Sequence, residues 1–269
     1  MDLIEKRLVV IGAGNIGKIL LERLQAVGVP ADQIVVCDSD AERAQTAAVK
    51  YGTRAVILTE KTICEADAIL VAVSPKSVAY VIHTIAGLLV PDCLVISFAA
   101  AVPLAHIEAM LHPGIPVVRI MPNAPSLIGQ GMNPVAYGAS VTPEARELVE
   151  AILAALGETL VVNDEQMNWC VGLSGATMRS LLPALEGMTR AGVEAGLPEK
   201  DARRVAAQVM VGTAALALKT DLTFEQIKAL TPMETVDEAA LEQLFFDAAQ
   251  AAQEKITSAQ GKLWPELTG

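Results

Sequence analysis

Ten residues near the start constrain this chain most: Leu8-Val9-Val10-Ile11-Gly12-Ala13-Gly14-Asn15-Ile16-Gly17. An apolar, β-branched run leads into GxGxxG and then into an apolar-periodic segment, the order of a strand, a tight turn and a helix. In that context Gly12 permits the turn, Gly14 lets a pyrophosphate approach the backbone, and Gly17 allows helix and strand to touch. The helix start offers unpaired amides and positive potential to phosphate. Gly12, Ala13, Gly14, Asn15, Ile16 and Gly17 are therefore candidate dinucleotide ligands. Asp38-Ser39 closes the next β-rich run, with Asp38 lying 21 residues after Gly17. A carboxylate there would accept hydrogen bonds from the adenine ribose and repel a 2′-phosphate, which favours NAD over NADP. Arg43 is the opposing feature, since a basic residue nearby can accommodate that phosphate.

Strand-like runs at 7–12, 33–38, 54–58, 68–73, 93–97 and 116–120 alternate with helical periodicity near 15–28, 41–51, 77–89 and 103–111. Such alternation implies βαβ units and a parallel sheet. Two more strand-like pieces, 133–138 and 158–162, flank a helix that begins at Thr142-Pro143-Glu144. From Asn163 the texture changes to Ala, Leu, Glu, Gln and Met at helical spacing. Helices are expected over 164–172, 176–196, 199–219, 223–229 and 236–260, with Asn163 and Gln166 as a capping box and Gly196-Leu197-Pro198 as a stop. The fold class is α/β: an N-terminal Rossmann dinucleotide-binding domain over 1–162 and an all-α dimerisation and substrate domain over 163–269.

Composition narrows the function. Hydrophobic residues make up 52% and charged residues 19%, which excludes a disordered acidic chain. A net charge of −11 argues against nucleic acid, whose phosphates need a basic surface. The stretch from Ala202 to Ala217 carries almost no charge after Arg204, so burial between subunits of a homodimer is expected. The charged start, Met1 to Arg7, lacks the apolar run of a signal peptide, and Pro91-Asp92 interrupts the most apolar stretch, 85–102. A cytoplasmic location is expected, with no membrane partner. Cys37, Cys64, Cys93 and Cys170 are scattered, as free buried thiols would be, and no metal-ligand set stands out. His83, His106 and His112 are read as structural, and Asp164, Glu165 and Glu186 as helix caps or solvated faces.

The segment Arg119-Ile120-Met121-Pro122-Asn123-Ala124-Pro125, with Gly129 and Gly131 behind it, follows the sixth strand at the sheet edge where ligands gather. Its prolines stiffen the backbone, and Asn123 offers a polar group to nicotinamide or substrate. This stretch resembles the RxMPNxP motif of pyrroline-5-carboxylate reductases, which reduce a cyclic imine to proline. Ala72-Val73-Ser74-Pro75 is similar to that family's VKP-type turn over the cofactor, and Leu94-Val95-Ile96-Ser97-Phe98-Ala99-Ala100 to a strand end of the family. Leu173-Ser174-Gly175 looks like the start of its SGSGPAY motif, and Ala191-Gly192-Val193-Glu194-Ala195-Gly196-Leu197 like one of its helix ends. The resemblance implies NAD or NADP as cofactor, hydride transfer to a C=N bond, and an intertwined dimer, in some members assembled into higher oligomers, whose pockets are completed by the other subunit. It adds Val73, Ser74, Pro75, Met121 and Asn123 to the cofactor set. It makes Asn123, Ser174, Gly175, Thr177, Arg179, Thr231 and Thr235 the candidate substrate ligands, with the hydroxyls of Ser174 and Thr235 the catalytic candidates.

Two departures stand out. SGSGPAY reads here Ser174-Gly175-Ala176-Thr177-Met178-Arg179-Ser180. The family's TSPGGTT reads Leu230-Thr231-Pro232-Met233-Glu234-Thr235-Val236, without either glycine. Arg179 can grip a carboxylate by paired hydrogen bonds, whereas Glu234 adds negative charge where the family binds an anion. The two are also able to pair with each other or face solvent. Ser74 stands where the family has lysine, with Lys76 two residues on. The expected activity is a pyrroline-5-carboxylate reductase-like reduction, with an altered substrate as one option. The alternative is a nucleotide-binding but silent paralogue with a regulatory or assembly role. A 3-hydroxyacid dehydrogenase is a third option, for which Lys200 and Lys219 are poorly placed at helix ends.

Overall fold

The computed structural model describes residues 3–265. The charged opening at Met1 and Asp2, and the end of the expected helical segment at 266–269, lie outside the described residues. Parallel strands β1 (Leu8–Ile11), β2 (Ile34–Cys37), β3 (Arg54–Ala55), β4 (Ala68–Val71), β5 (Leu94–Ser97) and β6 (Val117–Ile120) form the body of one sheet. Strand β7 (Gly131–Tyr137) runs antiparallel to β6, and β8 (Gly157–Val161) parallel to β7. The order across the sheet is β3-β2-β1-β4-β5-β6-β7-β8. Four-residue strands such as LVVI in β1 and AILV in β4 are buried throughout, as strands covered on both faces must be.

The covering helices are α1 (Asn15–Ala26), α2 (Ala41–Tyr51), α3 (Glu60–Cys64), α4 (Pro75–Ala86), α5 (Leu104–Ala109) and α6 (Pro143–Leu156). Leu20, Leu21 and Leu24 of α1 pack with Leu148 and Ile152 of α6 in one core. Val78, Ile82 and Ile85 of α4 join Ile107 of α5 in the other. The chain winds one way from β1 to β2 and the other way from β4 onward, so a crevice opens at the carboxyl ends of β1 and β4.

Some boundaries differ from expectation. Pairing in β3 stops at Ala55, although Val56 N–H still donates to Val36 O at 3.0 Å. The unforeseen α3 follows because Thr59 caps it, its hydroxyl accepting from Thr62 N–H at 3.3 Å. Helix α4 opens at Pro75, earlier than expected, because proline has no amide to lose in a first turn and Ser74 takes the N-cap position. The Asn163–Gln166 capping box is present. Beyond it α7 (Met167–Cys170), a π-helical turn (Val171–Ala176) and α8 (Thr177–Glu194) follow without a break, so the interruption expected near 172–176 is a widened turn. Helices α9 (Glu199–Lys219), α10 (Phe224–Ala229) and α11 (Glu238–Leu263) complete the chain. The fold divides into two compact units, one running through Gly175 and taking in the chain again from Ala252, the other Ala176–Ala251. In the second unit Gly192 lets α8 and α9 meet, since a Cβ there would stand 2.8 Å from Ala202 Cβ. Among the described residues no helix is long and apolar enough to cross a membrane.

The four thiols are not alike. Cys37 and Cys93 are buried, and burial pushes each thiol up to about 12, whereas Cys64 is exposed and Cys170 half-buried. Asp164 is half-buried and does more than cap its own helix or face solvent. Its Oδ1 accepts from Arg119 Nη1 at 2.8 Å, and its Oδ2 from Leu104 N–H, which opens α5, also at 2.8 Å. Arg119 is 1% exposed, and burial lowers its pKa while Asp164 opposes that shift. One carboxylate thus ties the end of β6 to the start of α5 from the threshold of the helical segment. Removing Asp164 strands the buried Arg119 charge at about 3–5 kcal/mol, whereas replacing both with apolar groups is closer to neutral. Asp164→Ala is therefore expected to lower the denaturation midpoint far more than the double change Arg119→Met with Asp164→Leu. Urea titration of the two variants reads the difference.

Candidate active site

Every candidate cofactor residue of the first unit lies at the carboxyl end of a strand. After β1, Gly12 takes a φ of 105°, and its N–H donates to Cys37 O at 2.7 Å. A Cβ on Gly12 would stand 2.5 Å from Ala72 O, which follows β4, so only glycine lets these two turns meet at the crevice. A Cβ on Gly17 would collide with the Gly12 carbonyl oxygen. At Gly14, by contrast, a Cβ would meet no protein atom within 4 Å. Packing does not demand glycine there, and the open space has room for a pyrophosphate. Gly14 is the N-cap of α1 and offers no side-chain hydrogen bond. The first-turn amides of Asn15, Ile16 and Gly17 therefore lack an intrahelical acceptor and present positive potential. These residues fit a dinucleotide phosphate.

Asp38, after β2, is turned inward: its side chain is only 6% exposed. Its Oδ2 accepts from Ala13 N–H at 2.8 Å, and its Oδ1 from Asp40 N–H at 2.9 Å, with Ser39 Oγ at 3.4 Å. The carboxylate is thus first a strut under the glycine loop, a role the 21-residue spacing alone does not reveal. Arg43 lies between Asp38 at 3.6 Å and Asp40 at 3.2 Å, so its charge faces two carboxylates. After β4 come Val73, exposed Ser74 and Pro75, with Ser74 Oγ 3.0 Å from Ser77 Oγ. After β5, Ala101 takes a φ of 60°, a left-handed conformation that costs a residue with a Cβ about 1–2 kcal/mol.

After β6 the Met121-Pro122-Asn123 loop begins, its Met121 N–H donating to Pro134 O at 3.0 Å. Both ends of the Asn123 amide meet protein: Nδ2 donates to Ser174 O at 3.0 Å, and Oδ1 accepts from Met132 N–H at 3.2 Å. Behind it Ser126 Oγ lies 2.8 Å from Asn133 Oδ1, and Asn133 Nδ2 donates to Glu158 O at 2.9 Å, with Ser126 and Asn133 fully buried. Ser174 and Gly175 lie in the π turn, and Ser174 Oγ donates to Cys170 O at 2.8 Å. With its hydrogen committed to the helix, that hydroxyl is left as an acceptor.

The first unit thus brings Asn123 and Ser174 into contact. In the second unit, Thr177 and Arg179 stand in the first turn of α8, and Arg179 is exposed. Thr231, Met233, Glu234 and Thr235 follow α10 in a non-helical stretch and are exposed. Sequence reasoning passed over Asp40, Ser126, Asn133 and the Cys170 carbonyl. Asp40 carried a local signal, a helix-capping residue three before Arg43, while the others are joined only by the fold.

Residues 7–101 match the family described as NADP oxidoreductase coenzyme F420-dependent, and residues 164–259 match Pyrroline-5-carboxylate reductase dimerisation. The pyrroline-5-carboxylate reductase of Pseudomonas aeruginosa is 31% identical over 97% of this chain and 96% of its own. That of Escherichia coli is 34% identical over 80% of this chain and 81% of its own. Among solved structures, Plasmodium falciparum pyrroline carboxylate reductase with NADP bound superposes with a TM-score of 0.84 at 20% identity, over 97% of this chain and 100% of that one. A pyrroline-5-carboxylate reductase from Coxiella burnetii gives 0.80 at 24% identity, over 94% and 98%. With a Rossmann sheet, a helical C-terminal segment and relatives at this identity along nearly its whole length, this chain belongs to the pyrroline-5-carboxylate reductase family.

Proposed function

We propose that this chain is a cytoplasmic reductase that uses a bound nicotinamide dinucleotide to reduce the C=N bond of a cyclic imino acid, pyrroline-5-carboxylate or a close analogue. One observation carries the reading. The same compact unit holds an unobstructed glycine loop at the head of α1 and a Met121-Pro122-Asn123 loop joined to the Ser174 turn. When bound, the dinucleotide supplies the hydride. The chain's own residues supply position, which is most of what an already electrophilic iminium requires. The α1 amides would hold the pyrophosphate, Val73, Ser74 and Pro75 would border the dinucleotide, and Met121 would face its nicotinamide end. Ser174 Oγ, its hydrogen held by Cys170 O, suits the N–H of a protonated imine. Arg179 has the chemistry to grip a substrate carboxylate, and Gly175, Thr177, Thr231 and Thr235 stay candidate polar partners by the family motifs alone.

NADH is favoured over NADPH. A 2′-phosphate beside Arg43 would face Asp38 and Asp40 together, and both already engage the guanidinium. A homodimer through the second unit completes the proposal. Among its described residues only Ala202, Ala206 and Ala249 are buried, while Val209, Leu218, Phe224, Leu244 and Phe246 are exposed. So much bare apolar surface asks for a partner. A second reading, a silent nucleotide-binding paralogue, is favoured by one feature: Met233 and Glu234 fill positions where the family motif carries two glycines.

Purified protein supplied with pyrroline-5-carboxylate is expected to oxidise NADH, with a higher kcat/KM than for NADPH. Tight NADH binding without turnover of that substrate or of a panel of cyclic imines would select the silent reading. Asp40→Ser keeps the helix cap and removes one charge beside Arg43. It is expected to raise the NADPH-to-NADH ratio of kcat/KM severalfold, and an unchanged ratio would remove Asp40 from the account of specificity.

A further inference from the structure

The Asn123 amide is a bridge with two distinct ends. Its donor end holds a main-chain carbonyl of the π turn, Ser174 O at 3.0 Å, and its acceptor end holds Met132 N–H at 3.2 Å, on β7. A π-helical turn shifts the regular pattern of amide-to-carbonyl bonds, which leaves carbonyls in need of other donors. Asn123 supplies one. The bridge is braced from behind by Ser126 and Asn133, both fully buried, through to Glu158 O on β8. The loop has no slack, because a Cβ on Gly131 would stand 3.0 Å from Asn123 Oδ1.

We infer that Asn123 is a positioning residue: its amide fixes the Ser174 turn against the end of β6 and so sets where the imine sits relative to the nicotinamide, without itself binding either. The inference rests on the proposed imine reduction for its kinetic consequence, while its structural half stands alone. Asn123 acts through Ser174. Losing the bridge loosens the substrate side of the crevice and leaves the α1 phosphate site untouched. The effect therefore falls on the imine and not on dinucleotide affinity.

Asn123→Asp separates the two ends. Aspartate still accepts from Met132 N–H, but as a carboxylate it offers Ser174 O no donor and repels it. The expected result is a KM for the imine raised about tenfold with the NADH dissociation constant unchanged. Faster amide exchange is expected in residues 171–179, measured on the protein without ligands. Because a protonated aspartic acid regains a donor, the ratio of variant to wild-type KM should fall toward one as the pH drops through the carboxyl's titration. Asn123→Ala, which removes both ends, should show the same exchange change with no such pH recovery. Wild-type exchange in 171–179 together with a wild-type KM in Asn123→Asp would overturn the inference, as would a loss confined to NADH affinity. If the wild-type protein reduces no imine, the proposed reaction fails, and the exchange measurement still decides whether Asn123 holds the turn.

Discussion

At the head of the crevice the backbone of Gly12 lies so close to the Ala72 carbonyl that no side chain fits between them. This contact joins the ends of the neighbouring strands from which the chain winds in opposite directions, and the rest of the fold is arranged around it. Gly17 extends the same constraint into the helix, and Asp38 secures it from the side by holding Ala13 N–H. The outcome is a helix start whose first amides face open space at Gly14 while Gly12 and Gly17 are closely packed, an arrangement suited to an anion.

A second fixed point lies at β6. Arg119, buried in the sheet, finds its charge partner in Asp164 at the beginning of the helical segment, and Asp164 also caps α5. A few residues on, Asn123 ties the loop after the same strand to the π turn that carries Ser174. Both links are polar, and they run from β6 and the loop after it to the segment between 164 and 175. Polar links of this kind impose distance and direction, which apolar packing alone does less sharply. The glycine-loop end of the crevice is thus held by backbone packing, and the Asn123–Ser174 end by side-chain hydrogen bonds.

What could be read from the sequence followed how local the cause was. The glycine loop, the Asn163–Gln166 cap and the buried strands each declare themselves within a few residues, and all are present. The RxMPNxP segment was legible as a family motif, yet the partners of its polar groups were not. Arg119 meets a residue 45 positions away and Asn123 one 51 positions away. Asp164 sat beside a capping box that accounted for its neighbourhood, so its long-range role was hidden. The π turn left no trace because Val171-Gly172-Leu173-Ser174-Gly175-Ala176 reads equally well as a helix end and a new start. Arg43 illustrates the limit for charge: the sequence offers it to a 2′-phosphate, while in the fold Asp38 and Asp40 both engage it.

On the reading proposed above, this crevice brings a nicotinamide and an imine carbon together for direct transfer. Reduction of pyrroline-5-carboxylate with NADH deuterated at the reactive C4 position, followed by mass spectrometry of the product, tests it most directly. Direct transfer carries the deuterium into the reduced ring, on the former imine carbon. Reduced product without the label, or label lost to solvent, would contradict direct transfer within the site.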